Sequence, residues 1–230
     1  MKLIADHISK MFFRDTAGSN YFYAVSPLSL ELSPGTVTVL MGRSGSGKTT
    51  LLNMLSGLLA PTEGKVFLDD TDLYRLNDTE LSRLRNGKIG VIPQARSAVD
   101  TLTVMENILL PAALYGKQKA ADEARRWMDT FEIAHLANAM PRELSGGELR
   151  RMAIIRAIMQ HPVFLFADEP TGDLDDESTE KVLSTLQACA HEQEMAVLMV
   201  THENEAIKYA DRLLKMEQGQ LTIQHDICIQ

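Results

Sequence analysis

The chain has little cysteine, no net positive charge and no long apolar run. Its 230 residues include only two cysteines, Cys189 and Cys228, too few and too far apart for a disulfide scaffold or a cysteine-rich metal site. No apolar stretch approaches the ~20 residues that a membrane-spanning helix needs, and no segment resembles a cleavable signal peptide. We therefore expect a protein of the reducing cytoplasm. If it serves a membrane process, we expect another chain to span the membrane.

The charge balance argues against a further class of function. Lysine and arginine number 23 against 31 aspartates and glutamates, which gives a formal net charge of -8. Nucleic acids and anionic lipids attract proteins through basic faces, so no nucleic-acid partner is expected. With 45% apolar residues, the length suits one folded α/β unit with an insertion.

What the chain does contain is a complete phosphate-binding loop, Gly42–Thr49, of the form G-x-x-x-x-G-K-[ST]. The loop follows an apolar β-type run, Val37–Met41, and precedes a helical pattern that begins near Thr50. Glycines let the backbone aim its N–H groups at phosphate, Lys48 can reach the β- and γ-phosphates, and the Thr49 hydroxyl can bind Mg²⁺. The predicted triphosphate-binding residues are Gly42, Arg43, Ser44, Gly45, Ser46, Gly47, Lys48, Thr49 and Thr50.

Apolar periodicity predicts strands in the first third of the chain and helices in its middle. Pro27 and Pro34-Gly35 interrupt the early strands, and Asp15–Asn20 is typical of a hairpin tip. The predicted strands are Leu3–Ser9, Ala24–Leu32, Thr36–Met41, Gly64–Leu68, Lys88–Ile92, Val163–Ala167 and Ala196–Val200. The predicted helices run from Thr50 to about Gly57, through Val104–Ala112, Ala120–Ile133 and Leu149–Met159, and along Val182, Leu183, Leu186 and Ala190.

Two carboxylates follow one of these apolar strands. Asp168 and Glu169 end the run that begins at Val163, and ligands of open α/β sheets bind at the carboxyl ends of strands. Asp168 can hold Mg²⁺, while Glu169 can orient or deprotonate a water that attacks the γ-phosphate. The alternative is an acidic strand end that only caps the turn at Pro170–Gly172. Beside a phosphate loop, the catalytic interpretation is favoured.

A third motif, Leu144–Glu148, precedes a helical run. Ser145 and Glu148 fit a capping box, which requires no function. A capping box does not require Gly146 and Gly147, which remove side chains from the helix entrance so that phosphate can approach the bare N–H groups. By itself this signal is weak.

In combination and in this order, the motifs resemble those of the ATP-binding cassette family, the ATPase subunits of transporters, across essentially the whole chain. The resemblance implies a P-loop NTPase fold: an α/β core of mixed sheet and helices, with an amino-terminal antiparallel β region. The RecA-like core would comprise residues 1–94 and 161–230, and an inserted helical subdomain, residues 95–160, would carry the signature motif Leu144–Glu148.

The resemblance also implies roles for individual residues, with ATP and Mg²⁺ as ligands. Glu169, His202 and Lys48 would be catalytic, and Thr49, Gln94 and Asp168 would hold Mg²⁺. Without the family pattern, Gln94 reads as a polar turn residue after Pro93, and His202 as a structural histidine at a strand end. The further residues expected at nucleotide are Phe12, with Phe13 as its rival for stacking on adenine, and Ser145, Gly146, Gly147 and Asp175.

In this family the signature motif acts on the nucleotide of a second cassette subunit, which implies a head-to-tail pair of chains, most simply a homodimer. The run Asp168–Asp175 and the pair Met41-Gly42 look like the branch of lipoprotein-releasing, macrolide-export and cell-division ATPases. Members of that branch pair with an integral membrane permease that bears a large extracytoplasmic domain. The expected location is therefore the cytoplasmic face of the cell membrane.

Other readings remain open, and the chain departs from the family pattern in places. A soluble cassette acting on nucleic acid or ribosomes is the alternative function, though such proteins usually carry two cassettes or a basic arm, and a regulator without turnover is a further one. Glu148 stands where the family commonly has glutamine, and a carboxylate there could weaken the binding of triphosphate. Proline precedes Gln94 where an aromatic residue is common, and the segment Ala95–Thr101, which usually contacts the membrane partner, looks short. We nevertheless expect a working site.

Overall fold

The computed structural model describes residues 1–13, 21–114 and 120–226, which form two β-sheets with six α-helices. The predicted hairpin tip Asp15–Asn20 lies outside these ranges. The strands are β1 (Leu3–Phe13), β2 (Tyr21–Leu32), β3 (Val37–Met41), β4 (Glu63–Leu68), β5 (Thr71–Asp72), β6 (Ile89–Ile92), β7 (Phe164–Asp168), β8 (Ala196–Thr201), β9 (Arg212–Glu217) and β10 (Gln220–Asp226). The helices are α1 (Lys48–Leu55), α2 (Asp78–Lys88), α3 (Val104–Leu114), α4 (Ala121–Thr130), α5 (Gly146–Ile158) and α6 (Asp176–Gln193).

The larger sheet brings three chemically important strand ends together. Its order is β10-β9-β3-β8-β7-β6, and β3, β6, β7, β8 and β9 run parallel. Met41 pairs in register with Thr201, and Asp168 pairs with Val200. Because parallel strands end at the same edge, the phosphate loop after β3 and the polar residues after β7 and β8 emerge side by side. The predicted parallel sheet and α/β fold are confirmed.

Apolar side chains of the central strands fill two layers, one on each face of this sheet. Phe164 and Phe166 of β7 pack on the layer that includes α1 and the smaller sheet. Leu165 and Ala167 of the same strand pack on the layer formed with α3 to α6. This alternation explains why the strand is apolar throughout: it is buried on both faces. Every helix within the described ranges is too short or too polar to traverse a lipid bilayer.

The smaller sheet is antiparallel, in the order β2-β1-β4-β5. The sequence-based prediction that Pro27 interrupts a strand is wrong, because β2 continues through it from Tyr21 to Leu32. β2 is the edge strand of its sheet, and the pairing register with β1 shifts between Ile8 and Lys10, opposite this region. Proline is tolerated at such edges and irregularities, since no ladder hydrogen bond is lost.

Helix α2 and the β9–β10 hairpin are the longest regular regions that had no sequence-based prediction. Helix α2 has no buried residue, so it lacks the apolar stripe that identifies a helix; a capping box between Asn77 and Glu80 starts it. The hairpin of β9 and β10 turns at Gln218 and Gly219, both of which have positive φ, 50° and 80°. That geometry is typical of a two-residue hairpin turn, and this turn contacts the phosphate loop.

Candidate nucleotide site

An open cavity of about 820 Å³ lies at the carboxyl edge of the larger sheet. Most of the residues that the sequence predicted to bind the nucleotide of their own chain line this cavity. The predicted residues that line it are Phe12, Arg43, Ser44, Gly45, Gly47, Lys48, Thr49, Thr50, Gln94, Asp168, Glu169 and His202. Gly42 and Ser46 do not line it, although both belong to the loop that forms its floor, and Ser46 is buried.

The phosphate loop requires glycine at two of its positions. Gly47 has φ 105°, and a Cβ there would lie 2.0 Å from the carbonyl oxygen of Ala24. A Cβ at Gly42 would lie 2.4 Å from the carbonyl oxygen of Met216. No side chain can therefore be accommodated at either position without moving backbone. The loop is pressed against β2 and β9, which fixes its shape.

Helix α1 begins directly at Lys48, and its N-cap residue Gly47 supplies no side-chain cap. The first N–H groups of a helix have no partner within the helix, so here they are available to a phosphate in the cavity. Lys48 is only 7% exposed. Its Nζ donates to the carbonyl oxygens of Gly42 and Arg43, at 2.7 and 3.2 Å, which holds the ammonium group over the loop. An uncapped helix start and a buried cation both favour an anion.

Asp168 and Thr49 fit a Mg²⁺ site. Asp168 is 3% exposed, and its Oδ1 has no hydrogen-bond partner among the described residues. The pKa of Asp168 is raised above its ordinary value, mainly by burial, and a hydrogen bond from the Thr49 side chain offsets part of this rise. A buried, unpartnered carboxylate oxygen is stabilised by a cation, and Mg²⁺ commonly takes one or two carboxylates together with phosphate oxygens and waters. Gln94 lines the same cavity.

Glu169 is held by two neighbours from the end of β8. The Thr201 hydroxyl donates to its Oε2 at 3.1 Å, and His202 Nδ1 lies 3.0 Å from its Oε1. Hydrogen bonding and charge from Glu169 raise the pKa of His202. Glu169 has φ 49°, a left-handed conformation that costs on the order of 1 kcal/mol in a residue other than glycine. The backbone is thus strained at the residue that would activate water.

Two further residues, Thr171 and Glu203, which were not predicted from the sequence, form hydrogen bonds next to Glu169 and His202. The Thr171 hydroxyl donates to the carboxylate of Glu203, and the Glu203 N–H donates to Thr201 Oγ1 at 3.0 Å. Hydrogen bonds therefore connect the loop after β7 to the loop after β8. The sequence signal available was an acidic residue directly after His202, which by itself is not distinctive.

Aromatic residues of β1 and β2 form the side of the cavity expected to receive a base. Phe12 lines the cavity, whereas its rival Phe13 does not and is 57% exposed. Phe22 and Tyr23 also line it and were missed. The missed turn residues Gln218 and Gly219 lie beside the phosphate loop, where the Gly219 N–H donates to the Ser46 carbonyl at 2.9 Å. An aromatic cluster on two paired strands was the signal that could have identified the first two.

The signature motif lies elsewhere. Ser145, Gly146 and Gly147 share a separate surface cavity of about 550 Å³ with Asp175 at the start of α6, and none of them lines the nucleotide cavity. The predicted capping box is confirmed: Glu148 Oε2 accepts from the Ser145 N–H at 2.7 Å and from its hydroxyl at 2.8 Å. These bonds lower the pKa of Glu148, so the carboxylate stays charged and turned toward Ser145.

Asp175 caps the next helix in a similar way. Its Oδ1 accepts from the Ser178 N–H at 2.7 Å, which lowers its pKa. Helices α5 and α6 thus begin on the same surface, and the Arg151 guanidinium links them by donating to the Ser178 hydroxyl at 3.1 Å. The structure brings the signature motif and Asp175 together, but not to the phosphate loop of the same chain.

Comparison with known proteins agrees with this geometry. The ABC transporter family model matches residues 25–172. An ABC transporter ATP-binding protein of Bacillus subtilis, YvcR, is 38% identical over 215 residues, which cover 93% of this chain and 83% of YvcR. The lipoprotein-releasing system ATP-binding protein LolD of Aquifex aeolicus is 40% identical over 196 residues, covering 84% and 87%.

Solved structures extend the likeness to the whole fold. The dimeric ABC transporter cassette MJ0796 has a TM-score of 0.88 and 30% identity, covering 98% of this chain and all of that one. The same cassette bound to ADP and Pi in a post-hydrolysis state has a TM-score of 0.86. With the family model spanning most of the chain, and with the nucleotide cavity built as described, the chain belongs to the ABC transporter family as an ATP-binding subunit that hydrolyses ATP.

Proposed function

We propose that two copies of the chain bind two ATP molecules at a shared head-to-tail interface and thereby drive a membrane protein. The observation that carries this proposal is the separation of two half-sites on one chain. The nucleotide cavity contains Lys48 and Glu169, while the exposed start of α5 with Ser145 and Gly147 lies on another surface. Facing copies would close each cavity with the other's signature motif. Similarity to a dimeric cassette supports this arrangement.

Within each site, we assign distinct tasks to the residues, and the described contacts support these assignments. Lys48 and the first N–H groups of α1 hold the β- and γ-phosphates. Thr49, Gln94 and Asp168 hold Mg²⁺, which when bound neutralises charge on the phosphate oxygens. Glu169 accepts the proton of the attacking water, and His202 and Thr201 keep its carboxylate in place. His202 also contacts the γ-phosphate.

The remaining assignments follow from position. Phe12, in the cavity wall, stacks on adenine. Asp175 lies beside the signature motif and connects the two sites across the interface. Residues 95–160 act as a helical subdomain that carries the signature motif toward the second copy. Residues 1–94 and 161–230 form the core that binds nucleotide.

The membrane partner is an integral permease with an extracytoplasmic domain, and the pair exports a substrate or remodels the membrane. Similarity to LolD, a lipoprotein-releasing ATP-binding protein, supports this class of partner. So does a groove of about 290 Å³ between α2, β6, α3 and α5. In its wall, Gln160 is 7% exposed, and neither polar atom of its amide has a partner in the described ranges. Such an amide costs about 1–3 kcal/mol, which a docked partner segment would offset.

The experiment uses Glu169→Gln, which removes the proton acceptor but keeps the shape of the side chain. This variant is expected to lose at least about a hundredfold in turnover and to elute as a dimer on size-exclusion chromatography only when ATP is present. Glu192→Gln, at an exposed acidic residue near the end of α6, is the matched control and should retain both turnover and the monomer–dimer behaviour of the unmodified chain.

A second arm tests the head-to-tail geometry. Ser145→Arg places a long cation at the start of α5, so it should abolish the ATP-dependent dimer of Glu169→Gln while ATP still binds to the monomer. A Glu169→Gln chain that stays monomeric with saturating ATP would refute the proposal. Unmodified chains whose turnover per molecule is independent of protein concentration, and unaffected by Ser145→Arg, would refute it as well.

A further inference from the structure

The segment that carries Gln94 has no regular structure of its own. Strand β6 ends at Ile92, and residues 93–98 are neither helix nor strand. Within the described ranges, the side-chain hydrogen bonds that tie this segment to the rest of the chain all use an arginine guanidinium as donor. The position of Gln94 therefore depends on a small number of charged groups.

Arg150 of α5 makes the contact nearest to Gln94. Its Nη1 donates to the carbonyl oxygen of Pro93 at 2.7 Å, and its Nη2 donates to the carbonyl oxygen of Gln94 at 3.0 Å. One planar guanidinium thus holds two successive carbonyl groups. A lysine ammonium at the same place has no planar fork that matches such a pair.

Arg156, later on the same helix, holds the other end of the segment. Its guanidinium donates to both the carbonyl oxygen and the hydroxyl of Ser97. Residues 93–98 line a cavity of about 200 Å³ together with Gly146, Leu149, Arg150 and Ala153 of α5. The segment therefore lies beside this helix, and the two arginines fix it there at both ends.

Helix α5 is itself anchored as a unit. Its apolar residues are buried in the core layer, and its first turn carries the signature motif at Ser145. Gln94, which lines the nucleotide cavity, and Ser145, which lines the separate cavity at the start of α5, are therefore attached to the same helix, and Arg150 follows Ser145 by five residues. A displacement of the start of α5 carries the backbone of Gln94 with it.

We propose that Arg150 is a positioning residue for Gln94, and that through it the contact of Ser145 with the nucleotide of the second copy sets where Gln94 stands over the nucleotide of its own cavity. This rests on the proposed head-to-tail dimer. Arg150 touches neither nucleotide; it transmits position between them. Without the fork, each site still binds ATP, but the two sites no longer respond to each other.

The test compares Arg150→Met and Arg150→Lys with Arg142→Met, an exposed arginine just before the signature motif. Methionine keeps an unbranched apolar stem but has no donor, and lysine keeps the charge. For Arg150→Met we expect kcat to fall about tenfold with the KM for ATP changed less than about twofold, and the Hill coefficient for ATP to fall toward one. Arg150→Lys should show a smaller loss of the same kind, and Arg142→Met none.

Hydrogen–deuterium exchange supplies a readout that general destabilisation would not reproduce. In the Glu169→Gln background, ATP-driven dimerisation should protect the backbone N–H groups of the segment 93–98, from Gln94 onward, together with those of the first turn of α5. Adding Arg150→Met should leave the α5 protection and remove that of 93–98. Melting temperatures measured in parallel identify any variant that fails to fold; in that case Arg150→Lys alone decides, by its exchange pattern and Hill coefficient.

The outcomes separate this inference from the function on which it rests. If Glu169→Gln does not dimerise with ATP, the proposed function fails. If it dimerises, but chains with Arg150→Met keep the turnover, the Hill coefficient and the protection of 93–98 that are measured with Arg150 in place, only the role of Arg150 is overturned. Full activity in Arg150→Lys would likewise overturn it, because charge rather than the two-carbonyl fork would then be sufficient.

Discussion

Two helix starts in this molecule both contain serine and two glycines, but they differ in what surrounds them. Helix α1 follows Gly47, has no side-chain cap, and has the buried ammonium of Lys48 beside it. Helix α5 follows Ser145, whose N–H and hydroxyl both donate to Glu148, and its first turn lies at the surface. Both present glycine and helix N–H groups to a possible phosphate, yet only the first has a buried ammonium group that donates to its own loop, with Asp168 and Glu169 in the same cavity.

From these two helix starts we infer that a helix N-terminus becomes a strong phosphate site only when other elements complete it. At α1, strands β2 and β9 press on the loop and hold it in shape. At α5, the chain provides a second helix start, Asp175 and the Arg151 guanidinium, but this cation already donates to the Ser178 hydroxyl. The second site is therefore half of a site, which is why a partner copy is proposed to complete it.

The two largest expected effects are at the complete site, and the first is the loss of its ammonium group. Lys48→Ala removes a charged donor from the β- and γ-phosphates, which costs about 3 kcal/mol or roughly a hundredfold in the Kd for ATP. Isothermal titration calorimetry measures it, with Lys65→Ala, an exposed lysine on β4, as the control that should bind normally. An unchanged Kd in Lys48→Ala would mean that this ammonium does not contact the triphosphate.

A matched pair of glycine substitutions tests whether the starts of α1 and α5 differ in this way. Gly47→Ala forces a Cβ to 2.0 Å from a carbonyl oxygen at φ 105°, so it should abolish ATP binding and lower the melting temperature. At Gly146 the nearest atom to an added Cβ is 3.5 Å away, so Gly146→Ala should fold and bind ATP normally. It should lose only the dimer-dependent hydrolysis, about tenfold, because a methyl group then stands in the path of the partner's phosphate. Equal effects of the two on ATP binding would contradict the distinction.

The pair of Glu169 and His202 gives a smaller effect that depends on pH. Its hydrogen bond raises the pKa of His202 above the ordinary value of about 6.5. A raised native pKa contributes stability that is fully present below the unfolded value and is lost as the pH rises through the native pKa. His202→Gln keeps a neutral donor, so it should lower the melting temperature more at pH 6 than at pH 9. The shift is modest because the side chain is 69% exposed, and an equal loss at both pH values would show that the charge contributes nothing.

The smallest effect is expected at the half-site. Glu148→Gln keeps an acceptor for the Ser145 N–H but removes a negative charge from the surface proposed to meet triphosphate. The ATP-dependent dimer of the Glu169→Gln background should tighten a few-fold, since exposed charges contribute about 1 kcal/mol or less, and analytical ultracentrifugation can detect it. Asp129→Gln, at the end of α4, is the control. A weaker dimer in Glu148→Gln would assign the carboxylate an attractive role instead.

Local patterns were sufficient where one short element carries the signal. The spacing from Gly42 to Thr49 predicted the phosphate loop, and the apolar run before Asp168 predicted a strand buried on both faces. The pair Ser145 and Glu148 predicted the capping box that the structure contains. Patterns were insufficient where an element has no buried face, as in α2, or where the environment overrides a residue, as at Pro27 on an edge strand. Phe22, Tyr23 and Gly219 joined the cavity only because separate strands converge there.

Local motifs in the sequence were enough to identify the chemical groups of the site and the family. Glycine, lysine and carboxylate at these fixed, short spacings have few other uses in proteins. Only the tertiary structure decided which of these groups share a cavity. Register between parallel strands places Asp168 and Thr201 at one edge, and side-chain hydrogen bonds such as those of Arg150 to Gln94 and of Thr171 to Glu203 join segments that lie far apart in the chain. Such contacts depend on packing across the whole core, which no short stretch of residues encodes.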